Sequence, residues 1–478
     1  MSLLTYAPAL ESTAPAKIAE RYDHFIGGKW TPSASGTTFF TTNPATEAPI
    51  AQVASGDPRD IDRAVAAARM AYDKYWKSMR PAERAKYIYR IARAITERSR
   101  ELAIIETIDG GKPIKESRDF DIPQAAANFF YYAGWADKLT WALRAGRVPE
   151  SLGVVGAIVP WNFPLLMAAW KIAPAIACGN TIVLKPAETT PLTALFLAQI
   201  IEDADLPPGV VNVVTGDGAT GAALVAHGDV DKIAFTGSTE VGKIIQRTVA
   251  GTRKSLTLEL GGKAANIVFS DASLDQAVEG VVNGIYFNQG HVCCAGSRLL
   301  VQENVHDAVV ERLRERIGKL RLGNPLDKNT DIGAINSRAQ HQKILELIAS
   351  GVAEGATLVQ APAVMPEVGF WIPPSFFTGV SPALRIAQEE IFGPVLSIMT
   401  FRTADEAIEK ANNTPYGLSA GVWTDKGAKS MYVAQRLRAG VVWCNTFNQF
   451  DPSSPFGGYR ESGFGREGGV AGLAAYLA

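Results

Sequence analysis

The most restrictive feature of this sequence is a regular alternation of apolar runs and amphipathic stretches between residues 154 and 249. Nearly uninterrupted, β-branched apolar runs predict buried strands at residues 154–159, 181–184, 210–214 and 232–235. Apolar residues spaced three and four apart predict helices at residues 165–178, 191–202, 220–227 and 238–249. Strict alternation of this kind is typical of a doubly wound parallel sheet, on which ligands bind beyond the carboxyl ends of the strands.

Three polar strand ends are therefore the first candidates for a ligand site, namely Trp161-Asn162, residues 185–188 and residues 236–238. The chain then passes through Gly261-Gly262 into a second strand–helix series. Its strands are predicted at residues 266–269, 299–302, 395–401 and 420–423, and its helices at residues 274–287, 305–320 and 404–411. Four further helices are predicted between residues 60 and 139, and an irregular connection follows them. The sequence thus predicts an α/β protein with two sheets.

Size, charge and cysteine content exclude several classes of protein. The 478 residues are enough for two or three domains. A net charge of −1 gives no electrostatic reason to bind nucleic acid or an anionic membrane surface. Four cysteines in so long a chain are not a disulfide framework, which predicts a reducing, cytoplasmic setting. The sequence has no basic stretch leading into an apolar run at its start and no apolar run long enough to span a membrane.

Two of the cysteines, Cys293 and Cys294, stand side by side in a polar, glycine-bounded turn between a predicted helix and a predicted strand. A thiol in such a turn is exposed yet rigidly held, as a nucleophile requires. The alternative for Cys293 is a small buried hydrophobic residue. Cys178 and Cys444 have apolar neighbours, which predicts core positions for both. The histidines and cysteines lack metal-ligand spacing beyond the adjacent pair, so no metal site is predicted.

Four polar residues near the strand ends have both a functional and a structural interpretation. Glu259 follows alternating leucines, so it is either a partly desolvated general base or a paired structural acid. Asn162 is either an amide donor at a strand end or an ordinary turn residue. Lys185 with Glu188 either binds ribose hydroxyls or is simply solvated. A carboxylate at a ribose site repels a 2′-phosphate, which favours NAD over NADP.

A glycine-bounded segment, Gly237 to Gly242, lies at a predicted strand-to-helix junction. It is not the G-x-G-x-x-G fingerprint, so its spacing alone is a weak signal. Ser238 can nevertheless cap the helix, whose N-terminus can face a pyrophosphate.

Seven motifs occur in order along the chain. They are Pro160-Trp-Asn-Phe-Pro164, Leu184-Lys-Pro-Ala-Glu188, Phe235-Thr-Gly-Ser-Thr-Glu-Val-Gly242, Leu258-Glu-Leu-Gly-Gly-Lys263, Asn288-Gln-Gly-x-x-Cys293, Glu389-Glu-Ile-Phe-Gly-Pro394 and Pro455-Phe-Gly-Gly458. Together they resemble the NAD(P)-dependent aldehyde dehydrogenase superfamily over nearly the whole chain. Residues 291–298 and 460–466 are most similar to the catalytic module of the branch numbered sixteen, although His291 stands where the superfamily usually has Gln.

The resemblance implies an aldehyde dehydrogenase-like α/β fold. A Rossmann-like NAD-binding domain would comprise residues 1–138 and 152–261, and an α/β catalytic domain residues 262–461. Residues 139–151 would be a short linker in place of the oligomerisation hairpin, and residues 462–478 a truncated C-terminal segment without the usual final strand. Because those two pieces normally build the tetramer, a monomer or homodimer is expected.

The resemblance also implies a role for individual residues. Cys293 matches the nucleophile, Glu259 the general base, and Asn162 with the Cys293 backbone N–H the oxyanion hole. Lys171 and Glu467 match a polar relay behind the base. The implied cofactor-binding residues are Val159, Pro160, Trp161, Lys185, Glu188, Gly237, Ser238, Gly242, Leu260, Glu390 and Phe392. The implied walls of an aldehyde tunnel are Phe163, Met167, Trp170, Val292, Cys294, Phe450 and Phe456.

The predicted function is NAD-dependent oxidation of small-molecule aldehydes to carboxylic acids, through a Cys293 thiohemiacetal and thioester. An acylating enzyme that passes the thioester to coenzyme A is one alternative, which the retained Glu259 disfavours. A non-catalytic interaction module is the other, and the presence of Cys293, Glu259 and Asn162 disfavours it.

Overall fold

The computed structural model describes residues 7–142 and 149–478. Its strands form two large sheets and one three-stranded sheet. In chain order the strands are β1 (Arg21–Tyr22), β2 (His24–Ile26), β3 (Lys29–Thr31), β4 (Thr38–Thr42), β5 (Pro49–Ala54), β6 (Val154–Ile158), β7 (Thr181–Lys185), β8 (Val211–Val213), β9 (Lys232–Thr236), β10 (Ser255–Glu259), β11 (Ala265–Val268), β12 (Arg298–Gln302), β13 (Thr357–Gln360), β14 (Ser375–Thr378), β15 (Val395–Phe401), β16 (Ser419–Trp423), β17 (Val441–Cys444) and β18 (Gly463–Phe464).

The helices pack mainly on the faces of the two large sheets. In chain order they are α1 (Pro58–Ala71), α2 (Pro81–Glu97), α3 (Ser99–Gly110), α4 (Ile114–Glu116), α5 (Ile122–Trp135), α6 (Leu139–Ala142), α7 (Pro164–Ala177), α8 (Leu192–Asp203), α9 (Gly218–Ala226), α10 (Thr239–Val249), α11 (Leu274–Tyr286), α12 (His306–Ile317), α13 (Arg338–Ala353), α14 (Arg385–Gln388), α15 (Ala404–Asn412), α16 (Gly427–Ala434) and α17 (Gly469–Ala474). Two π-helical turns, Tyr72–Trp76 and Ser117–Asp121, and three 3₁₀ turns, Phe287–Gly290, Glu303–Val305 and Arg460–Ser462, complete the set.

The first large sheet has the strand order β18-β10-β9-β6-β7-β8-β2-β3. Its five central strands, β10 to β8 in that order, are parallel. Counted along the chain, these five strands lie in the order 5-4-1-2-3, which is the Rossmann arrangement with its switch point between β6 and β9. The predicted doubly wound sheet is therefore confirmed. The crevice at the switch point lies beyond the strand ends that carry Trp161 and Gly237.

The second large sheet has the order β13-β14-β15-β12-β11-β16-β17, and all its neighbouring strands are parallel except β13 and β14. Strands β11, β12, β15 and β16 lie where the sequence predicts strands. Strands β13 and β14 and the long helix α13 were not predicted. The two sheets are joined at Leu260–Ala264, so the end of β10 and the start of β11 lie close to one cleft.

Local sequence signals explain where several elements begin. Pro164 occupies the first turn of α7, where a missing N–H costs nothing. Ser238 caps α10 by accepting a hydrogen bond from the Val241 N–H. Asp57 and Asp60 form a reciprocal capping box at the start of α1. Pro164 in the first turn of α7 and the Ser238 cap of α10 mark where the chain leaving β6 and β9 enters helices that start beside the crevice.

Some boundaries differ from the predictions. The helix predicted to reach residue 139 ends at Trp135, and residues 139–142 form a helical turn instead of an irregular connection. Residues 143–148 of the predicted linker lie outside the described residues. The segment 462–478 contains the two-residue strand β18, which pairs antiparallel with β10, and the helix α17. The proposed domain limits stay a prediction.

The prediction that Cys444 lies in the core was wrong, because its side chain is exposed at the end of β17, whereas Cys178 is buried as predicted. In the described part of the chain, no helix is both long enough and apolar enough to cross a bilayer.

Candidate active site

A cleft opens between the two large sheets. Of the residues predicted from the sequence, it is lined by Pro160, Trp161, Asn162, Phe163, Met167, Trp170, Gly237, Ser238, Glu259, Leu260, Val292, Cys293, Cys294, Glu390, Phe392, Phe450, Phe456 and Glu467. The predicted residues that do not line it are Val159, Lys171, Lys185, Glu188 and Gly242. The fold thus brings together segments that are hundreds of residues apart in the sequence.

Cys293 lies in a backbone turn of unusual conformation. Asn288, Gln289 and Gly290 all have positive φ angles, of 49°, 51° and 74°. An added Cβ at Gly290 would collide with the Gly393 carbonyl, so the turn packs directly on the segment that carries Glu390 and Phe392. The turn therefore fixes Cys293 at the base of the cleft, where its side chain is half-buried. The neighbouring Cys294 thiol and burial together raise the pKa of the Cys293 thiol well above its ordinary value.

Asn162 lies between β6 and α7 and faces the same space as Cys293. Its Nδ2 donates a hydrogen bond to the His291 carbonyl oxygen at 2.8 Å. The Asn162 backbone carbonyl oxygen accepts a hydrogen bond from Asn288 Nδ2 at 2.9 Å. These two bonds join the end of β6 to the turn before the thiol, so the orientation of the Asn162 amide is coupled to that turn.

Glu259 is the last residue of β10 and is 4% exposed. Among the residues that the structure describes, neither of its carboxylate oxygens has a hydrogen-bond partner. Burial, followed by repulsion from Glu467, raises the pKa of Glu259 well above its ordinary value, although Lys171 opposes the shift. A buried carboxylate with a raised pKa, in the same cleft as a thiol, is suited to accept a proton from water.

Lys171 and Glu467 form a buried ion pair behind Glu259. Lys171 projects from α7, whereas Glu467 comes from the last part of the chain and pairs by backbone hydrogen bonds with Phe456. Glu467 Oε2 has no partner among the described residues. A pair with one free carboxylate oxygen beside the cleft can pass a proton to or from Glu259.

The opposite end of the cleft has the features of a dinucleotide site. The N-terminus of α10, capped by Ser238, opens toward it, and Gly242 packs so closely on Leu260 that an added Cβ would clash. Glu390 accepts a hydrogen bond from the Gly262 N–H at 2.8 Å. Burial raises the pKa of Glu390.

Lys185 and Glu188 lie outside the cleft, beyond the neighbouring strand β7. Lys185 is buried and its Nζ is 3.1 Å from Glu188 Oε2, whereas the Glu188 side chain is half exposed. The Lys185 carbonyl accepts a hydrogen bond from the Val159 N–H at 3.2 Å, which aligns the ends of β6 and β7. The pair is therefore adjacent to the crevice along the same sheet edge.

Aromatic rings form the inner walls of the cleft. The rings of Trp170, Phe450 and Phe456 contact one another with centroid separations of 5.5 to 6.5 Å. Two wall residues, Phe120 and Phe287, were missed from the sequence; their rings meet edge to face at 5.3 Å. Phe120 belongs to a π-helical turn and Phe287 to a 3₁₀ turn, so neither had a motif or a regular periodicity by which to find it.

Two other cleft residues were missed because helix α13 was not predicted. Gln340 donates from Nε2 to the carbonyl oxygens of Ile391 and Phe392, at 3.1 and 2.9 Å. Lys343 lines the cleft one turn further along the helix. In the segments 7–142 and 149–478, no group of three His, Cys, Asp or Glu side chains is arranged to hold a metal ion.

Comparison with known proteins identifies the family of this chain. The sequence model described as "Aldehyde dehydrogenase family" matches residues 30–478. The chain belongs to the aldehyde dehydrogenase family. Retinal dehydrogenase 2 of Homo sapiens is 46% identical over 467 residues, which cover 95% of this chain and 89% of that protein.

Solved structures of aldehyde dehydrogenases agree with the fold. The NAD+ complex of an aldehyde dehydrogenase from Bacillus cereus is 42% identical, with a TM-score of 0.94 and 98% of each chain covered. An indole-3-acetaldehyde dehydrogenase in complex with NAD+ is 43% identical, with a TM-score of 0.94 and coverage of 98% of this chain and 96% of that one. The aldehyde dehydrogenase fold predicted from the seven motifs is therefore confirmed. The finer likeness to the branch numbered sixteen stays a prediction.

Proposed function

We propose that this aldehyde dehydrogenase-family chain oxidises aldehydes to carboxylic acids with NAD, and that Cys293, Asn162 and Glu259 carry the chemistry. The observation that carries the proposal is that a thiol, an amide donor and a raised-pKa carboxylate line one cleft with an apolar wall. The similar proteins include a retinal dehydrogenase and an indole-3-acetaldehyde dehydrogenase, whose names support oxidation of aldehydes. Two of the similar solved structures are NAD+ complexes, which supports NAD as the cofactor.

The first half-reaction belongs to Cys293 and Asn162. The Cys293 thiol loses its proton, and the resulting thiolate attacks the aldehyde carbon to form a thiohemiacetal whose oxygen takes the negative charge. The Asn162 amide and the Cys293 backbone N–H donate hydrogen bonds to that oxygen; losing one such donor costs about a hundredfold or more in rate. NAD, when bound, supplies the acceptor for the hydride that leaves the same carbon. Collapse of the oxyanion with loss of that hydride leaves a thioester on Cys293.

The second half-reaction belongs to Glu259. Its carboxylate takes a proton from a water molecule, and the resulting hydroxide attacks the thioester carbon. The carboxylic acid leaves, and the sulfur returns to the thiolate. The ion pair of Lys171 and Glu467 then accepts the proton from Glu259.

The cofactor would lie along the edge that joins β6, β9 and α10. Ser238 and the N-terminus of α10 would bind the pyrophosphate, since helix N-termini attract anions. Lys185 and Glu188 would bind the adenosine ribose. Glu390 and Phe392 would lie at the nicotinamide ribose. The Glu188 carboxylate disfavours a 2′-phosphate, so NAD is preferred to NADP.

The substrate would be an aldehyde with an apolar or aromatic body. The rings of Phe163, Trp170, Phe450 and Phe456, with Phe120 and Phe287, would surround it. Edge-to-face contacts within this wall favour flat rings and long hydrocarbon chains over small polar aldehydes.

The deciding experiment measures NADH formation with aliphatic and aromatic aldehydes of graded length, using NAD and NADP in parallel. We expect activity with NAD, none in Cys293→Ala, and full activity in Cys444→Ala, because that thiol is exposed and does not line the cleft. Added coenzyme A should leave the rate unchanged. Activity that persists in Cys293→Ala would overturn the assignment, and a rate that depends on coenzyme A would favour the acylating alternative.

We also propose a cytoplasmic location and a monomeric or homodimeric state. The thiols described by the structure are all free, which suits a reducing compartment. The connection at residues 139–151 leaves little chain for an oligomerisation hairpin. Size-exclusion chromatography with light scattering tests the assembly, and a stable tetramer would contradict it.

A further inference from the structure

A cluster of four buried ionisable side chains lies outside the residues that the proposed reaction uses. Glu106, Lys112, Glu116 and Asp121 come from α3, α4 and the turns around them, and none is more than 8% exposed. Lys112 hydrogen-bonds to Asp121, and its Nζ is 3.8 Å from Glu106 Oε1. Lys112 thus pairs with two carboxyl groups, and its charge also acts on the third, that of Glu116. Burial raises the pKa of Glu106 and of Glu116 to about 8 each, against the attraction of Lys112. Buried ion pairs contribute little to stability, so stability alone does not explain this cluster.

Glu116 contacts the turn that precedes the thiol. Its Oε2 accepts a hydrogen bond from the Asn288 backbone N–H at 2.9 Å. Asn288 and its successor Gln289 both have left-handed backbone conformations, which cost non-glycine residues about 1 kcal/mol or more each. A hydrogen bond that satisfies this buried N–H offsets that cost. Glu116 therefore holds Asn288 in a conformation that it would not otherwise favour.

Asn288 in turn contacts the proposed oxyanion hole. Its Nδ2 donates to the Asn162 carbonyl oxygen at 2.9 Å and lies 3.4 Å from the His291 carbonyl oxygen. The Asn162 amide is oriented by that same His291 carbonyl. An unbroken chain of hydrogen bonds thus runs from Glu116 through Asn288 to Asn162.

The same cluster supports Asn162 from its other side. Glu106 Oε2 accepts a hydrogen bond from the Leu165 N–H at 3.4 Å, in the first turn of α7. The Lys112 ammonium lies 4.3 Å from the centre of the Phe163 ring. Asn162 therefore stands between two elements, the thiol turn and the start of α7, that are both held by one buried cluster.

We propose that Glu116 is a positioning residue that orients the oxyanion hole through Asn288. The inference rests on the proposed function, in which the Asn162 amide stabilises the oxyanion. Glu116 touches neither substrate nor nucleophile. Its loss should release Asn288 and allow the Asn162 amide to turn away from the site that the oxygen occupies.

The test compares Glu116→Leu, Glu116→Gln, Asn288→Gly and Asn162→Ala, all in a Cys444→Ala background so that Cys293 is the accessible thiol. Glycine tolerates the positive φ of residue 288 but lacks the amide, so Asn288→Gly tests the pathway even if Glu116→Leu fails to fold. Three quantities are measured: the rate of NADH formation with saturating aldehyde, the dissociation constant for NAD, and the rate of Cys293 alkylation by iodoacetamide. Alkylation forms no oxyanion and does not need the hole.

We expect Glu116→Leu and Asn288→Gly to slow aldehyde oxidation by about tenfold or more, with NAD affinity and alkylation within about twofold of the parent. Glu116→Gln should restore most of the rate, because an amide oxygen can still accept the Asn288 N–H. The control is Glu11→Leu, which removes another carboxylate that is 8% exposed and should leave all three quantities unchanged. A proportionate loss in all three quantities, or a Glu116→Gln variant as slow as Glu116→Leu, would overturn the inference.

A double variant separates this inference from the function on which it rests. If Glu116 acts through Asn162, Asn162→Ala combined with Glu116→Leu should be no slower than Asn162→Ala alone. A double variant whose rate loss equals the product of the two single losses would overturn the pathway. If Asn162→Ala alone oxidises aldehydes at the parental rate, the proposed oxyanion role itself fails. If Asn162→Ala is slow and Glu116→Leu is not, only the role of Glu116 fails.

Discussion

Glu259 combines deep burial with two carboxylate oxygens that lack hydrogen-bond partners among the described residues. This environment disfavours the ionised form, which is the form that accepts a proton. As the proposed base, Glu259 is therefore mostly protonated at low pH and a strong proton acceptor once it is ionised. The repulsion from Glu467 and the attraction to Lys171 adjust the pH at which Glu259 ionises.

We predict that Glu259→Gln slows thioester hydrolysis by about a hundredfold or more, while leaving the first half-reaction intact. Rapid mixing should then record a burst of about one NADH per active site, followed by slow turnover. Because the pKa of Glu259 is raised, the parental steady-state rate should increase as pH rises through that pKa, and the variant should lose this dependence. Glu97→Gln, on the exposed end of α2, is the matched control. Unchanged turnover in Glu259→Gln would refute its role as base.

Lys232, the first residue of β9, is a second buried ionisable residue. Its Nζ lies over the Tyr476 ring at 5.2 Å and has no hydrogen-bond partner in the described parts of the chain. Burial, with repulsion from Lys171, lowers the pKa of Lys232 to about 7, compared with about 10.4 for an unfolded chain. The folded state therefore carries a penalty that is complete below pH 7 and fades as pH rises toward the unfolded value.

Lys232→Met should consequently increase the free energy of unfolding, by more at pH 6.5 than at pH 9.5. Denaturant unfolding at the two pH values measures the difference. Lys29→Met, on the exposed side of β3, should change stability little at either pH. A variant that is less stable than the parent at pH 6.5 would show that the contact with Tyr476 outweighs the cost of burying the charge.

The link between the two sheets is the element on which the geometry of the site depends most. Gly262 donates its N–H to Glu390, and an added Cβ at this position would collide with the Cys293 carbonyl oxygen. A single residue thus fixes the distance between the cofactor side of the cleft and the nucleophile. Glycine is required there for space and not for an unusual φ angle.

Gly262→Ala should lower kcat by about a hundredfold, because displacing a nucleophile by about 1 Å has an effect of that size. The stability loss should be only about 1–3 kcal/mol, as for other overpacked sites. Steady-state kinetics and thermal unfolding separate the two effects. Gly427→Ala, where nothing lies within 4 Å of an added Cβ, should be neutral in both. Parental kcat in Gly262→Ala would mean that the thiol turn moves freely with the link.

The elements that could be predicted were those whose pattern is local. Strands β6, β7 and β9 are uninterrupted apolar runs, and Pro164 and Ser238 mark helix starts in the sequence itself. Helix α13, from Arg338 to Ala353, was not predicted, and none of the seven motifs adjoins it. Phe120 was missed for a different reason: a π-helical turn has no periodicity that a sequence pattern reveals.

At the scale of the whole molecule, the cofactor site should couple binding to stability. The residues proposed to hold NAD lie in β7, in α10, which follows β9 of the first sheet, and around Glu390, in the segment that leads into β15 of the second sheet. A ligand that bridges them binds only the folded state. We predict that NAD at 100 times its dissociation constant adds about 2.7 kcal/mol to the free energy of unfolding.

Thermal unfolding across a series of NAD concentrations measures this coupling. Cys293→Ala should gain as much as the parent, since its sulfur does not hold the cofactor. Lys185→Met should need a higher NAD concentration for the same gain. An equal response of Lys185→Met and the parent would remove Lys185 from the cofactor site.

The partners of the catalytic residues could be predicted only through the resemblance. Nothing near Cys293 in the sequence indicates Asn162 or Glu259, because the contacts between them arise when the two sheets close on one cleft. No sequence motif predicted the cluster around Glu116. Glu106 lies in a predicted helix with charges between its apolar positions, whereas Lys112, Glu116 and Asp121 lie between two predicted helices.

The return of the chain end to the first sheet has a consequence for synthesis. Phe450, Phe456 and Glu467 complete the cleft, and β18 pairs with the strand that ends in Glu259. A ribosome-bound chain that already contains Cys293 still lacks the aromatic walls and the partner of Lys171. The Cys293 thiol is therefore synthesised well before the residues that complete its cleft, and a growing chain cannot turn over aldehydes until residues 450–467 have left the ribosome and docked.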